Sequence, residues 1–259
     1  MANNATNNTV DRRSAIIEII QTKGKLRVDE LHKKFDVSNV TLRNDLKKLE
    51  ADGYLRRTHG GALKVETVAF DLALIEKEKK FSDEKKRIGK AAASLVREGE
   101  TIILDSGTTT MEVARNIKNM KNITVLTNAL NIATELAGRE GIQVILTGGI
   151  LREKSFSLVG PHAEQTLQDY FCDKLFLGVD GINTKDGVTT PNLLEAKVNR
   201  LMAERANEVI VVTDASKFGK RSLSLIVPVR KIDKVITDGN IPEEDYQTLQ
   251  TKGIEVIIA

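Results

Sequence analysis

The residues best suited to do chemistry lie in short polar clusters in the rear two-thirds of the chain. The first is Leu104-Asp105-Ser106-Gly107-Thr108-Thr109-Thr110, ahead of a helical stretch. Small hydroxyl residues and a glycine at a strand-to-helix turn expose backbone N–H groups at the positive end of the helix, a setting that holds a phosphate. No G-K-[ST] follows and no G-x-G-x-x-G is present, so neither a Walker loop nor a dinucleotide fingerprint is indicated. Similar clusters are Thr127-Asn128, Thr147-Gly148-Gly149, Asp180-Gly181, and Asp214 with Ser216-Lys217. Asp180 and Glu195 have the chemistry to bind sugar hydroxyls. Lys217 can supply charge to a ligand or pair with a carboxylate. Taken singly, each is also an ordinary turn, cap or helix-face residue.

Their placement links them. From Thr101 onward, β-branched runs alternate with helical stretches. The runs are Thr101–Leu104, Ile123–Thr127, Ile142–Thr147, Lys174–Gly178, Val209–Thr213, Lys234–Thr237 and Glu255–Ile258. Strand, polar turn and helix in repetition predict a mostly parallel sheet with helices on both faces. In such a sheet ligands bind outside the carboxyl ends of the strands, and the clusters sit at those ends.

The front of the chain carries a different chemistry. A helix from Asp11 to Gln21 is expected to end at Lys23-Gly24, and a second, capped by Asp29, to run through Phe35. Ser38 is placed to cap a third helix, in which Leu42, Leu46 and Leu49 form one buried stripe. Val40, Thr41, Asn44, Lys47 and Lys48 then face away from the stripe, with Arg43 on its flank. That face matches a helix lying in the DNA major groove. Val40 is set for a thymine methyl, Asn44 for adenine, and Arg43 for guanine or a phosphate. Gly53 is expected to end the helix. Tyr54 to Lys64, bent at Gly60-Gly61, reads as a hairpin wing whose Arg56, Arg57 and His59 lie along the phosphate backbone. With Ser38 and Asn39 these residues form the candidate DNA-binding set.

Charge supports the division. The formal net charge of +3 over 259 residues is uninformative. Residues 1–64, however, hold 13 Lys and Arg against eight Asp and Glu, a surplus of five, which leaves −2 for the rest. A basic front segment is the electrostatic footprint of a reader of DNA. One cysteine, Cys172, excludes an internal disulfide, and His32, His59 and His162 are too scattered for a metal site, so neither metal nor cofactor is expected. No run is long enough for a transmembrane helix, and Met1 to Asn8 lacks the features of a signal peptide. A cytoplasmic protein is expected.

Arg12-Arg13, Val37-Ser38, Thr41-Leu42-Arg43-Asn44-Asp45-Leu46, Leu49-Glu50, Gly53 and His59-Gly60-Gly61-Ala62 resemble the winged helix-turn-helix of DeoR-type bacterial transcription regulators. Asn44 stands where members often carry a second arginine. The rear segment resembles the effector domain of the same family. Ile103 to Thr109, Leu146 to Gly149, Phe176 to Ile182, Glu195-Ala196, Asn199-Arg200 and Asp214 to Phe218 carry the likeness. The resemblance implies a fold similar to ribose-5-phosphate isomerase and a phosphorylated sugar as inducer. It places Ser106 to Thr110 on the phosphate, and the Thr147-Gly148-Gly149 turn, Asp180, Glu195 and Lys217 on the sugar. Thr41 to Leu46, Ala163 to Gln168 and Asp173 to Gly178 further look like the repressors of N-acetylgalactosamine utilisation. That likeness implies an amino-sugar 6-phosphate, such as galactosamine 6-phosphate or its N-acetyl form.

The expected organisation is a disordered tail at 1–8, a winged helix-turn-helix at 9–65, a linker at 66–80 and an α/β effector domain at 81–259. The protein is expected to act as a dimer or tetramer on double-stranded operator DNA. The competing reading is a sugar-phosphate isomerase or deaminase with a fused DNA-binding module, or a regulator of another sugar or hexitol operon. Against an enzyme stands Gly187-Val188-Thr189-Thr190-Pro191-Asn192, which lacks the lysine and most of the glycines that precede the carboxylate helix in the isomerase pattern.

Overall fold

The computed structural model describes residues 9–51, 54–64 and 73–259. The tail at 1–8, Gly53 as a helix stop and residues 66–72 of the linker lie outside the described residues. The chain divides into two compact units at Phe70/Asp71.

The first unit contains α1 (Thr9–Lys23), β1 (Lys25–Arg27), α2 (Val28–Phe35), α3 (Asn39–Ala51), β2 (Leu55–Thr58) and β3 (Gly61–Lys64). Gly24, at φ +73°, closes α1 with its N–H donating to the Ile20 carbonyl at 2.9 Å. The expected cap of α2 is corrected: the helix begins at Val28, leaving Asp29 in its first turn, and the extended Arg27 holds the cap position. The Val28 N–H donates to the Gly60 carbonyl at 2.9 Å, so the wing fixes where α2 starts. Ser38 does cap α3, its Oγ accepting from the Thr41 N–H at 3.2 Å. Leu42, Leu46 and Leu49 are buried, as are Ile16, Ile20, Leu31, Phe35 and Leu55 on the elements that α3 packs against. The three strands form an antiparallel sheet in the order β1-β3-β2. A Cβ on Gly61 would stand 2.1 Å from the Leu26 carbonyl oxygen, so only glycine lets β3 lie against β1.

The second unit opens with α4 (Leu74–Glu78) and α5 (Ser82–Ala93). The linker assigned to 66–80 therefore contributes a helix, α4, to this unit. There follow β4 (Thr101–Leu104), α6 (Thr108–Ile117), β5 (Ile123–Thr127), α7 (Leu130–Leu136), β6 (Ile142–Leu146), β7 (Ile150–Leu151), β8 (Leu158–Val159) and α8 (Pro161–Gln168). Then come β9 (Cys172–Gly178), β10 (Gly181–Asn183), β11 (Gly187–Thr190), α9 (Leu193–Arg205), β12 (Ala206–Val212), β13 (Ser224–Val227), β14 (Lys234–Thr237), α10 (Glu243–Thr251) and β15 (Glu255–Ile258).

The seven β-branched runs form one sheet in the order β15-β14-β12-β9-β4-β5-β6, parallel at every pairing. Side-chain alternation divides the core between its two faces. Ile103, Leu175, Leu177, Val209, Val211 and Val235 pack on one side with α8, α9 and α10. Ile102, Leu104, Val125, Phe176, Ile210 and Ile236 pack on the other with α5, α6 and α7. Two smaller antiparallel elements, β10-β11-β13 and the hairpin β7-β8, are additions to the expected pattern. Among the described residues no helix is long and apolar enough to cross a membrane.

Candidate nucleic-acid interface and ligand cleft

On the first unit, α3 presents the expected face. Val40 is 67% exposed. Ser38, Asn39, Arg43, Asn44, Lys47 and Lys48 are exposed, and Thr41 is half-buried with its hydroxyl 2.9 Å from Ser38 Oγ. Arg56, Arg57 and His59 are exposed on the wing.

Two ties that sequence reasoning missed hold this face in place. Asp45 is buried, and its carboxylate accepts from Arg12 Nε and Arg13 Nε, each at 2.7 Å. A signal for it existed. Asp45 stands three residues after Leu42 and four before Leu49, on the apolar stripe, where a carboxylate needs a buried partner. The second tie joins helix to wing. Glu50 accepts from the Arg57 N–H at 2.7 Å and from Arg57 Nε at 2.8 Å. The Arg57 backbone bond, aided by the guanidinium, keeps the Glu50 carboxyl below its ordinary value. Arg57 thus orients the wing as well as presenting charge.

In the second unit the carboxyl ends of β4, β5 and β6 lie in line. Thr127 Oγ1 donates to the Leu104 carbonyl at 2.6 Å, and the Thr147 N–H donates to the Thr127 carbonyl at 3.0 Å. Thr127 is fully buried and its hydroxyl is committed to backbone, which makes it a brace for the sheet end. Asn128 is also fully buried, and its Oδ1 has no hydrogen-bond partner. Gly148 and Gly149 adopt φ of +69° and +113°, and a Cβ on Gly149 would meet the Val159 carbonyl oxygen at 2.6 Å. In the phosphate-type turn, Ser106, Gly107 and Thr108 are half-buried, whereas Thr109 and Thr110 are buried. Thr110 Oγ1 is turned back to the Gly107 carbonyl at 3.0 Å.

The fold brings Asp105, Asp180 and Glu195 together. Thr190 Oγ1 lies 3.2 Å from Asp180 Oδ2 and 3.5 Å from Glu195 Oε2. Asn192 caps α9, its Oδ1 accepting from the Leu194 and Glu195 N–H groups at 3.0 and 3.1 Å, which places Glu195 in the first turn. Oriented to satisfy both neighbours, the Asn199 amide donates to Asp105 Oδ1 at 3.0 Å and to the Glu195 carbonyl at 3.2 Å. Each of the two outer carboxylates has a cation that sequence reasoning missed. Lys77 Nζ sits 2.6 Å from Asp180 Oδ1. Arg152, on the β7–β8 connection, pairs with Glu195, which also accepts from Ser157 Oγ at 2.8 Å. No local signal marks Ser157, Thr190 or Arg152, because their partners are distant in sequence.

Asp105 and Asp180 are shifted in opposite directions. Burial works to raise Asp180, but Lys77 and then Lys217 outweigh it and hold the group below its ordinary value. Asp105 is different. Complete burial, reinforced by the Glu195 charge, raises it well above the usual carboxylate range, and the Ser106 and Gly178 N–H bonds offset this only in part. Lys85 is pushed down to about 8, chiefly by burial, with Asp214 opposing and Lys217 and Lys77 adding to the shift. Asp105 therefore keeps a proton in the folded state that the unfolded chain has already lost. Its contribution weakens the fold as pH rises above the ordinary carboxylate value. Asp105→Asn copies the neutral acid. The second unit of that variant should melt above the native protein at about pH 8 and level with it near about pH 4. Equal melting points at the higher pH would show an ionised, fully compensated Asp105.

Comparison with known proteins agrees with this layout. The DeoR-like helix-turn-helix domain matches residues 12–68, and the DeoR C terminal sensor domain matches residues 80–239. A protein of Escherichia coli O157:H7 named as a candidate repressor of the aga operon is 42% identical over 96% of this chain and 94% of its own. The HTH-type transcriptional regulator GlpR of Haloferax volcanii is 36% identical over 95% of this chain and 96% of its own. Among solved structures, ribose 5-phosphate isomerase A of Methanocaldococcus jannaschii aligns with a TM-score of 0.41 at 20% identity, covering 54% of this chain and 55% of its own. A reader of DNA in front, a sensor domain behind and relatives that are regulators along nearly their whole length place this chain in the DeoR family of transcriptional regulators.

Proposed function

We propose that this protein represses an operon for carbohydrate use, of the N-acetylgalactosamine or galactosamine type, and leaves its operator when a phosphorylated sugar enters the rear cleft. The observation that carries the reading is the arrangement at the strand ends. The N-terminus of α6, with half-buried Ser106, Gly107 and Thr108, stands beside the adjoining carboxyls of Asp105, Asp180 and Glu195. An anion site next to hydroxyl-binding carboxylates fits a sugar phosphate. Gly148, Gly149, Gly181 and Lys217 complete the lining in this reading, with Thr109, Thr110, Thr127, Asn128 and Thr147 supporting it from beneath. The amino-sugar assignment draws on the identity with the aga-named relative.

In the same reading two copies of α3 enter successive major grooves from a dimer or tetramer. Val40, Thr41, Arg43 and Asn44 read bases. Ser38, Asn39, Lys47, Lys48, Arg56, Arg57 and His59 hold phosphates. The test is an operator-binding titration. Galactosamine 6-phosphate or its N-acetyl form should release the operator, and Arg43→Ala should weaken operator binding by about 1–3 kcal/mol. Equal loss on operator and random DNA would make Arg43 a phosphate contact only. Failure of every amino-sugar phosphate to release the operator would remove the effector assignment.

A further inference from the structure

The short helix α4 (Leu74–Glu78) contains no buried residue, and Ile75 on it is 62% exposed. A helix this short is unstable alone, and without an apolar face its position depends on polar ties. Four of these ties run to the body of the second unit or to the start of α5. The Leu74 N–H donates to the Lys154 carbonyl at 2.7 Å. Glu78 pairs with Arg115 of α6 at 3.3 Å. Buried Lys85 donates to the carbonyls of Lys77 and Lys80, the latter at 2.5 Å. The fourth is the Lys77–Asp180 ion pair at 2.6 Å.

The last tie is unlike the others, because Asp180 belongs to the cleft. Its two oxygens are taken by Lys77 and Thr190. A ligand amine or hydroxyl that approaches Oδ1 from the side of Lys77 competes with that cation for the same acceptor. Resting on the effector reading above, we infer that Lys77 is a latch: a resident cation that occupies the ligand's place on Asp180 and, when displaced, loosens residues 74–80, the first described stretch after the DNA reader. Ligand occupancy and the anchoring of α4 then exclude each other, and so each lowers the other's population. Lys77 acts on the arm through Asp180 and is a positioning residue.

Hydrogen exchange on the full-length protein tests this, with galactosamine 6-phosphate and its N-acetyl form as probes. In the native protein, probe binding should speed exchange of the amides of 74–80. Lys77→Gln should speed the same amides without any probe. If the latch is open in about a tenth of molecules, Lys77→Gln should also tighten probe binding by about tenfold, because no resident cation competes. Lys77→Arg keeps the pair and should restore slow exchange, which separates the latch from a general loss of structure. Probe binding that leaves 74–80 unchanged overturns the latch. So does weaker binding in Lys77→Gln, which would make Lys77 a direct ligand contact. A protein that binds neither probe, native or variant, overturns the effector reading and the latch together, and the missing binding tells that outcome from a failed latch.

Discussion

Asp45→Ala should unfold the DNA-reading unit while leaving the sensor unit folded. The Asp45 carboxylate is 2% exposed and is held by two guanidinium groups, of which Arg12 is itself 4% exposed. Removing the acid leaves a buried cation without its counter-charge, which costs about 3–5 kcal/mol. A unit of about 60 residues has a total stability of only about 3–9 kcal/mol. The loss therefore takes most of what holds α1 against α3, and α3 carries Arg43 and Asn44 on its outer face. Calorimetry should show the transition of the first unit lowered or abolished and that of the second retained, with operator binding lost. Operator binding within about twofold of native would show that water or another acid replaces Asp45.

Thr108→Asp should produce a protein that binds its operator normally and is no longer released by the sugar phosphate. Thr108 is the first residue of α6, and an acid in the first turn suits the helix dipole, so the fold does not suffer. The new carboxylate, however, stands where the phosphate would lie. At about 5 Å in a half-buried site, the repulsion of one unit charge is on the order of 3 kcal/mol. That corresponds to on the order of a hundredfold in affinity for the effector. An operator-release titration reads it directly, and release at native concentrations would move the phosphate away from this turn.

Much of the scaffold was legible in the chain. The seven β-branched runs are the seven strands of the main sheet, because a buried parallel strand needs an apolar run and a polar stop. The Leu42–Leu46–Leu49 stripe and the Ser38 cap were legible for similar reasons, since each is a rule of local spacing. The missed residues act through long-range pairs. Lys77 belongs to Glu76-Lys77-Glu78-Lys79-Lys80, a charge run indistinguishable in sequence from a solvated helix face, and its partner Asp180 lies beyond four strands of the main sheet in chain order. Arg152 and Ser157 lie at the two ends of the loop of a hairpin whose strands have two residues each, too short for any alternation to register. The upward shift of Asp105 was equally invisible, because it arises from burial and from Glu195, a residue of a different element.

The strand order β15-β14-β12-β9-β4-β5-β6 also bears on how the protein is made. The longest strand pairing within the reader joins Lys25 to Leu63, and its elements are complete once Lys64 has left the ribosome. The sensor sheet is centred on β9, whose partner β4 places Ile103 against Leu175. Until β9 emerges, β4 lacks its partner on that side, and Glu195 arrives later still. Local contacts form quickly and distant strand pairings slowly. A nascent chain therefore acquires its grip on DNA well before it has anything with which to sense a reason to release it.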